Sequence, residues 1–264
     1  MPIWIYEIHP FFCALLMIVS VEAISLSGLL LTRRFLLPKL KYRDGVNEAV
    51  SGTVQAIGVF YGITVGLIAV GVWSTNTHAA DLVSNEATSI ATLYRDVSGY
   101  PSPLREQLRS DLNGYTVFII DKSWPAQRIG KMPVGGAALM DDFQGKLYAF
   151  EPTNQSQSAL HQQTLQAYNN LLQFRSLRID AVSSGLSSTM WAVIWVGAII
   201  SIGVAYLYRI DDAKIHAILV ALMGGFLAMV LFMIIINDKP FYGNGSISPA
   251  PYQLILDRLM NVKN

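Results

Sequence analysis

The sequence predicts an all-α integral membrane protein with four transmembrane helices and a helical bundle inserted between the second and the third. Two observations predict this class. The 264 residues are 52% apolar and only 14% charged, whereas an average soluble domain carries about 25% charged residues. Charged residues are also missing from several long stretches, and a helix needs only roughly 20 residues to cross the hydrocarbon.

The charge-free stretches place the four spans. No Asp, Glu, Lys or Arg occurs in residues 49–80, 181–208 or 215–237, and residues 11–31 are apolar except for Glu22 and a few serines. The N-terminus lacks the basic region and the cleavage site of a signal peptide, so the first stretch is expected to remain as a span. The predicted membrane helices are at about 10–32, 50–74, 189–208 and 215–237.

The spans divide the chain into three segments. These are a first helix pair with a basic link (1–74), an extramembrane bundle (75–188) and a second helix pair with a C-terminal tail (189–264). Strand-like alternation is sparse in the bundle, which indicates helices. Residues 77–97 contain neither Pro nor Gly, so the second membrane helix is expected to continue out of the bilayer. A last bundle helix begins at about residue 155, and its predicted stripe comprises Leu165, Tyr168, Leu172, Arg175 and Ile179.

The basic residues predict the orientation. Short links rich in Lys and Arg stay in the cytoplasm. The bundle and both termini would then lie outside, in the periplasm of a bacterium with this protein in its inner membrane. Arg175 and Arg178, shortly before the third span, count against this orientation. The basic residues of the two links are Arg33, Arg34, Lys39, Lys41 and Arg43 in the first, and Arg209 and Lys214 in the second.

Several function classes are disfavoured. The motifs GxxxxGK[ST], HExxH, CxxC and GxSxG are absent, and the four histidines are scattered along the chain without a recognisable metal-binding motif. We therefore expect that the protein is not an enzyme and that it binds neither a metal nor a cofactor. The net charge of +1 argues against nucleic acid as a partner. The expected partners are the lipid bilayer, further copies of the chain and inorganic ions.

Glu22 is the most unusual residue of the first span. A carboxylate near the middle of a membrane helix costs a few kcal/mol on insertion scales. It marks either a polar path through the membrane or a hydrogen bond that serves only helix packing. Ser25 lies one turn further along, which makes part of the helix polar. Both interpretations remain open at this stage.

The second span contains three glycines spaced four apart, Gly58, Gly62 and Gly66. Each would cost roughly 1 kcal/mol in a soluble helix, relative to alanine. In lipid, however, small residues at this spacing let two helices approach closely. The opposite face is apolar with two threonines, as in ordinary helix packing or in a hydrophobic pore constriction that gates by dewetting. The candidate pore-lining residues on this face are Thr53, Ile57, Phe60, Thr64 and Leu67.

A series of short motifs, by its order and spacing, resembles the bacterial bestrophin-like family, a domain of unknown function with four membrane helices. The resemblance spans roughly residues 50–252, and Ser123 and Ser187 depart from the family pattern. The matching residues are the glycine-rich second span ending in Trp73, Glu86-Ala87, Tyr94-Arg95, Tyr115, Trp124-Pro125, Arg178 and Trp191, and the tail segments DKPFYG and ISPAPY with Asp238, Pro240, Phe241 and Gly243.

The resemblance implies a homo-oligomeric ion channel or pore. Bestrophins proper are pentamers whose second helices line a narrow hydrophobic neck, so the face with Phe60 would have that role. The dense acidic cluster that bestrophins use for calcium is absent after the fourth span, so calcium gating is not implied. Bestrophins place their large helical region in the cytoplasm, whereas the basic links here place it outside. The alternative is a non-conducting scaffold or sensor whose exported bundle binds a partner.

Overall fold

The computed structural model describes residues 4–40 and 45–261, so Lys41 and Arg43 of the first basic link lie outside the described residues. The described residues form helices and turns, with no strand among them. The α-helices are α1 (Trp4–Glu7), α2 (Pro10–Leu31), α3 (Val46–Val97), α4 (Leu104–Phe118), α5 (Trp124–Arg128), α6 (Gly136–Tyr148), α7 (Gln155–Val182), α8 (Ser188–Ala205), α9 (Ala213–Asp238) and α10 (Ala250–Ile255). Short π-helical turns at Thr32–Leu36, Ile119–Ser123 and Leu256–Met260 and a 3-10 turn at Leu37–Lys39 complete the regular structure.

Four helical segments are long and apolar enough to cross a membrane: residues 10–39, 46–97, 188–205 and 213–238. The predicted all-α class with four membrane helices is therefore confirmed. Sequence-encoded caps begin two of these helices, because His9 Nδ1 accepts a hydrogen bond from the Phe11 amide at 3.3 Å and Ser187 Oγ accepts one from Met190 at 3.3 Å.

The membrane unit consists of residues 8–40, 45–74 and 185–238. Its core joins Val65, Ala69 and Val72 of α3 to Ile194 of α8 and Leu231 and Ile234 of α9. The Tyr61 hydroxyl donates a hydrogen bond to the Ile194 carbonyl oxygen at 2.9 Å, which fixes α3 against α8. Most other apolar side chains of these helices face outward, as membrane helices do toward lipid or further copies.

The described parts of the two basic links lie at the same end of the membrane unit. Arg33 donates to the carbonyl oxygens of Ile210 at 2.9 Å and Asp211 at 3.3 Å. Asn47 and Arg209 are joined by two hydrogen bonds of 3.0 Å, one in each direction between side chain and backbone. Direct hydrogen bonds therefore join the segments at this end of the membrane unit.

The bundle unit comprises residues 4–7, 75–184 and 239–261, so the tail groups with the bundle rather than with the second membrane helix pair. α3 is one helix of 52 residues, which matches the expectation of a continuous helix to residue 97. The bundle portion of α3 packs against α4, α6 and α7. Phe143 of α6 stacks on Tyr168 of α7 with ring centroids 5.3 Å apart. The start of α7 is capped by Asn154, whose side chain accepts from the Gln157 amide at 2.9 Å.

Candidate functional site

The predicted pore-lining side of α3 is largely exposed in the membrane unit. Phe60 and Leu67 are 73% and 70% exposed. Thr53 and Thr64 are also exposed, and their hydroxyls donate to the carbonyl oxygens four residues earlier at 2.9 and 2.8 Å. Because these hydroxyl hydrogens are engaged, the threonines present only acceptor oxygens outward. Ile57 is partly buried.

An apolar groove of about 560 Å³ separates α3 from α8. The α3 wall includes Ile57, Phe60 and Thr64, so one edge of the predicted pore-lining side borders α8. The Tyr61 ring approaches α8 at Gly197, where any Cβ would overlap the ring. The groove is therefore bounded by two helices that are held together at close range.

The glycine stripe of α3 has no partner in the described part of this chain. A Cβ added at Gly58, Gly62 or Gly66 would meet no atom within 4 Å beyond the local helix itself. The predicted packing role of these glycines therefore concerns a surface outside the described residues of this chain.

Glu22 lies against a pair of glycines on α9. A Cβ on Gly225 would come within 2.9 Å of Glu22 Oε1, and a Cβ on Gly224 within 3.1 Å of Ser25 Oγ. Glu22 Oε2 and Ser25 Oγ are shielded, and neither has a hydrogen-bond partner among the described residues. The glycine pair thus makes room for two polar oxygens between α2 and α9.

Several motif residues meet in the core of the bundle unit, in a group that we call the motif cluster: Glu86, Tyr115, Trp124, Arg178, Phe241 and Tyr252. The Arg178 Nε atom forms a close ion pair with Glu86 Oε2, and its Nη2 lies 3.2 Å from Oε1. The Tyr115 hydroxyl donates to Glu86 Oε1 at 2.9 Å, and the Tyr252 hydroxyl donates to Oε2 at 3.0 Å. The buried carboxylate is therefore surrounded by four donors.

The electrostatics of the motif cluster favour a charged guanidinium and neutral phenols. Burial opposes the charge of Arg178, but the Glu86 carboxylate outweighs it and raises the pKa of the guanidinium. Burial, followed by the same carboxylate, raises the pKa of Tyr115 and Tyr252 well above the usual value. The tyrosines therefore remain hydrogen-bond donors to Glu86 throughout the physiological pH range.

Aromatic contacts attach the C-terminal tail to the motif cluster. The Trp124 ring centroid lies 5.7 Å from that of Phe241 and 5.7 Å from that of Tyr252. Trp124 Nε1 donates to the Ile247 carbonyl oxygen at 3.1 Å, and the Arg178 guanidinium lies 5.9 Å from the Trp124 ring centroid. The tail is thus part of the bundle core, because its motif residues Phe241 and Tyr252 contact Trp124.

Comparison with known proteins places this arrangement in a family. The sequence profile of the Bestrophin-like domain matches residues 19–252. The chain belongs to the Bestrophin-like family. No curated protein sequence matches the chain closely enough to count as a relative.

Solved structures share the fold of this Bestrophin-like chain. One point variant of a bacterial bestrophin homologue from Klebsiella pneumoniae is 9% identical, with a TM-score of 0.69 over 95% of this chain and 99% of that chain. Another variant is 10% identical, with a TM-score of 0.66 over 96% and 99%. A structure described as a membrane protein is 9% identical, with a TM-score of 0.68 over 95% and 99%. At identities this low, the structural similarity shows only that the fold is shared.

The remaining motif residues of the Bestrophin-like chain do not join the motif cluster. Trp191 stacks on Trp195 in α8 with centroids 6.5 Å apart. Asp238 Oδ1 accepts a hydrogen bond from the Leu186 amide at 2.6 Å. Arg95 and Pro125 are exposed. These residues stabilise separate places in the fold, or face outward.

Gly243 and Pro240 belong to the tail segment that precedes α10. Gly243 has a φ of +69°, and its amide donates to the Arg128 carbonyl oxygen at 3.1 Å. Pro240 is buried, and its carbonyl oxygen accepts from the Ile247 amide at 2.9 Å. Sequence reasoning missed Asn244, whose amide donates to the Tyr6 carbonyl oxygen at 2.9 Å. No local pattern could have indicated that contact between the two ends of the chain.

Metal-binding residues do not gather in the part of the chain that the structure describes. Within residues 4–40 and 45–261, no three His, Cys, Asp or Glu side chains are grouped as a metal ion would require. The expectation that the protein needs no metal or cofactor stays a prediction.

Proposed function

We propose that the chain is a subunit of a homo-oligomeric ion channel in a bacterial inner membrane, with the membrane portion of α3 lining the pore. The observation that carries the proposal is the glycine stripe of Gly58, Gly62 and Gly66, which has no partner among the described residues of the chain. A glycine stripe that faced only lipid would weaken the helix without a compensating contact. A second copy of the chain supplies such a contact, and family membership supports a channel.

The surroundings of α3 suggest how copies would join. The face of α3 that carries Val65 and Val72 is buried in the core of the membrane unit, and an adjacent face borders α8. The glycine flank and the side with Phe60 and Leu67 are open. In a closed ring, each copy presents two different surfaces to its neighbours. The glycine flank would meet the α8 side of the next copy, and Phe60 and Leu67 would face the axis.

The pore around such an axis would be a hydrophobic constriction. Apolar rings gate ion flow by dewetting, and the acceptor oxygens of Thr53 and Thr64 would offer the nearest polar contacts. The permeant species would be inorganic ions as a class. By analogy with bestrophins, the subunits would form a pentamer. Ile57 completes the proposed pore-lining set at the edge shared with α8.

Assembly is tested first. We expect Gly62→Leu to break the oligomer into smaller species in native mass spectrometry, because the added side chain prevents close approach of the neighbour. The change should leave the subunit folded, since no described residue of the chain contacts that position. Gly203→Leu on α8, which is equally free of contacts at its Cβ position, is the matched control. An oligomer that survives Gly62→Leu unchanged would remove the packing argument.

Conduction is tested on the same purified oligomers in planar bilayers. We expect ion currents from the wild-type protein and a larger or less strongly gated current from Phe60→Ala, because a smaller side chain widens an apolar constriction. The absence of current under every ion gradient, in an oligomer shown to be intact, would favour the non-conducting scaffold instead.

A further inference from the structure

The bundle unit contains a polar groove that the proposed pore does not use. The groove lies between α3 and α7 and has a volume of about 390 Å³. Its α3 wall consists of three hydroxyl residues and one acid, Thr88, Ser89, Thr92 and Asp96. The α7 wall adds amide side chains, and the lining contains no Lys, Arg or His. The groove is therefore polar with a single negative charge.

The three hydroxyl residues that line the groove have only accepting capacity left. Each donates its hydrogen to the carbonyl oxygen four residues earlier on α3, at 2.8 Å from Thr88, 2.9 Å from Ser89 and 3.0 Å from Thr92. A hydroxyl that donates along its own helix has only lone pairs left for other partners. This wall consequently offers three oxygens and no free hydroxyl hydrogen.

Asp96 supplies the charge and an oxygen without a partner. Its Oδ1 accepts a hydrogen bond from Gln163 Nε2 at 3.1 Å. Its Oδ2 is shielded from solvent and accepts no hydrogen bond from any residue in the described ranges. Burial raises the pKa of Asp96, and the Gln163 hydrogen bond opposes the rise. A shielded carboxylate oxygen without a donor is costly unless a positive charge compensates it.

The amide groups of α7 add to the acceptor set. Gln166 Nε2 donates to Asn170 Oδ1 at 3.3 Å, which leaves the Gln166 side-chain carbonyl oxygen free to accept. The groove thus combines one carboxylate with neutral hydroxyl and amide oxygens. Oxygen ligands suit hard cations, and divalent ions are usually held by more carboxylate charge than one group provides.

We propose that this groove binds a monovalent alkali cation, with Asp96 supplying the charge and the hydroxyl and amide oxygens completing its coordination. The volume leaves room for water molecules that the ion retains. The site lies within the bundle unit alone and does not require that the protein conducts.

The test measures sodium binding to the full-length protein in uncharged detergent by ²³Na NMR line broadening, with ionic strength held constant by N-methylglucamine chloride. We expect saturable broadening in the wild type, and at least a tenfold loss of affinity in Asp96→Asn. The matched control is Asp81→Asn, an exposed acid on the same helix outside the groove, which should bind sodium as the wild type does.

A folding control keeps the result interpretable. Circular dichroism melting should be similar for wild type and Asp96→Asn. Thr92→Val, which retains the carboxylate but removes one oxygen, should weaken binding several-fold. Absence of saturable broadening in the wild type, or wild-type binding by a folded Asp96→Asn, would overturn the proposal.

Discussion

Glu86 and Arg178 form a buried ion pair, and the stability of this pair depends on the groups around it. Taking both charges out of water is expensive, and their attraction offsets that cost only when the remaining hydrogen-bonding capacity is also satisfied. Tyr115 and Tyr252 satisfy the carboxylate. Arg178 Nη1 is buried without a partner among the described residues, so the guanidinium depends mainly on Glu86 and on its contact with Trp124.

Removal of Arg178 should be strongly destabilising. We expect Arg178→Leu to lower the free energy of unfolding by about 3–5 kcal/mol, because Glu86 would remain as an uncompensated buried charge. Thermal unfolding in detergent, followed by tryptophan fluorescence, measures the effect. Arg95→Leu, an exposed arginine from the same motif series, should change little. The double variant Glu86→Leu with Arg178→Leu should recover part of the loss, and an Arg178→Leu protein as stable as wild type would contradict this view of the pair.

Single residues also show where sequence patterns are insufficient. The predicted stripe of α7 included Leu165, Leu172 and Ile179, which are only partly buried, whereas Thr164 and Arg178 face the core. The buried face also contains Leu171, so the predicted stripe is offset by one residue at these three positions. The Glu86 partner of Arg178 lies on another helix, 92 residues away, so no local pattern could identify it.

At the level of elements, turns and glycines determine how the tail and the helices approach each other. Gly243 adopts a left-handed backbone that favours glycine, and a Cβ there would overlap the Tyr6 carbonyl group. The N-terminal segment and the tail are joined at this point by a hydrogen bond from the Asn244 backbone amide to the Tyr6 carbonyl oxygen. Local sequence chemistry predicted the continuity of α3, since Pro and Gly are absent from residues 77–97, but it could not predict this docking of the tail.

We expect Gly243→Ala to loosen the tail. The substitution combines an unfavourable φ with a steric overlap, so it should lower the free energy of unfolding by more than about 1 kcal/mol. Limited proteolysis should cleave the tail faster as well. Gly145→Ala, in the last turn of α6 and without neighbours at its Cβ position, is the control and should be neutral or stabilising. Equal stability of the two variants would contradict the role of Gly243.

The contact of α2 with α9 can also be tested at the level of elements. We expect Gly225→Leu to destabilise the membrane unit, because its side chain would displace the Glu22 carboxylate from the space beside α9. Glu22→Ala should then relieve much of the defect in the double variant. Melting temperatures of the single and double variants in detergent give the coupling between the two positions. Additive effects without any rescue would show that Glu22 does not occupy the space beside Gly225.

For the molecule as a whole, two independent features bear on how it sits in the membrane and assembles. The described parts of both basic links lie at one end of the membrane unit, and positive links favour the cytoplasm. The glycine stripe faces no other residue in the part of the chain that the structure describes. The sequence predicted the number of spans because long charge-free stretches have few alternatives. It could not predict which faces lack an internal partner, since that depends on the packing of all four helices.

Orientation is directly measurable. If the basic links are cytoplasmic, alkaline phosphatase fused after Gly130 should be active, because that enzyme requires export. Green fluorescent protein at the same position should be dark. The reverse pair of results would place the bundle in the cytoplasm and would show that the charge distribution does not set the topology here.

The most direct test of the channel proposal is cysteine accessibility at the proposed axis during conduction. Cys13 is first replaced by serine, so that Phe60→Cys and Leu222→Cys each carry one thiol; Leu222 is 68% exposed on α9. In liposomes containing the purified oligomer, we predict that a charged thiol reagent changes ion flux through Phe60→Cys and leaves Leu222→Cys unaffected. Flux that is unchanged at Phe60, or no flux from any intact oligomer, would contradict a pore lined by α3.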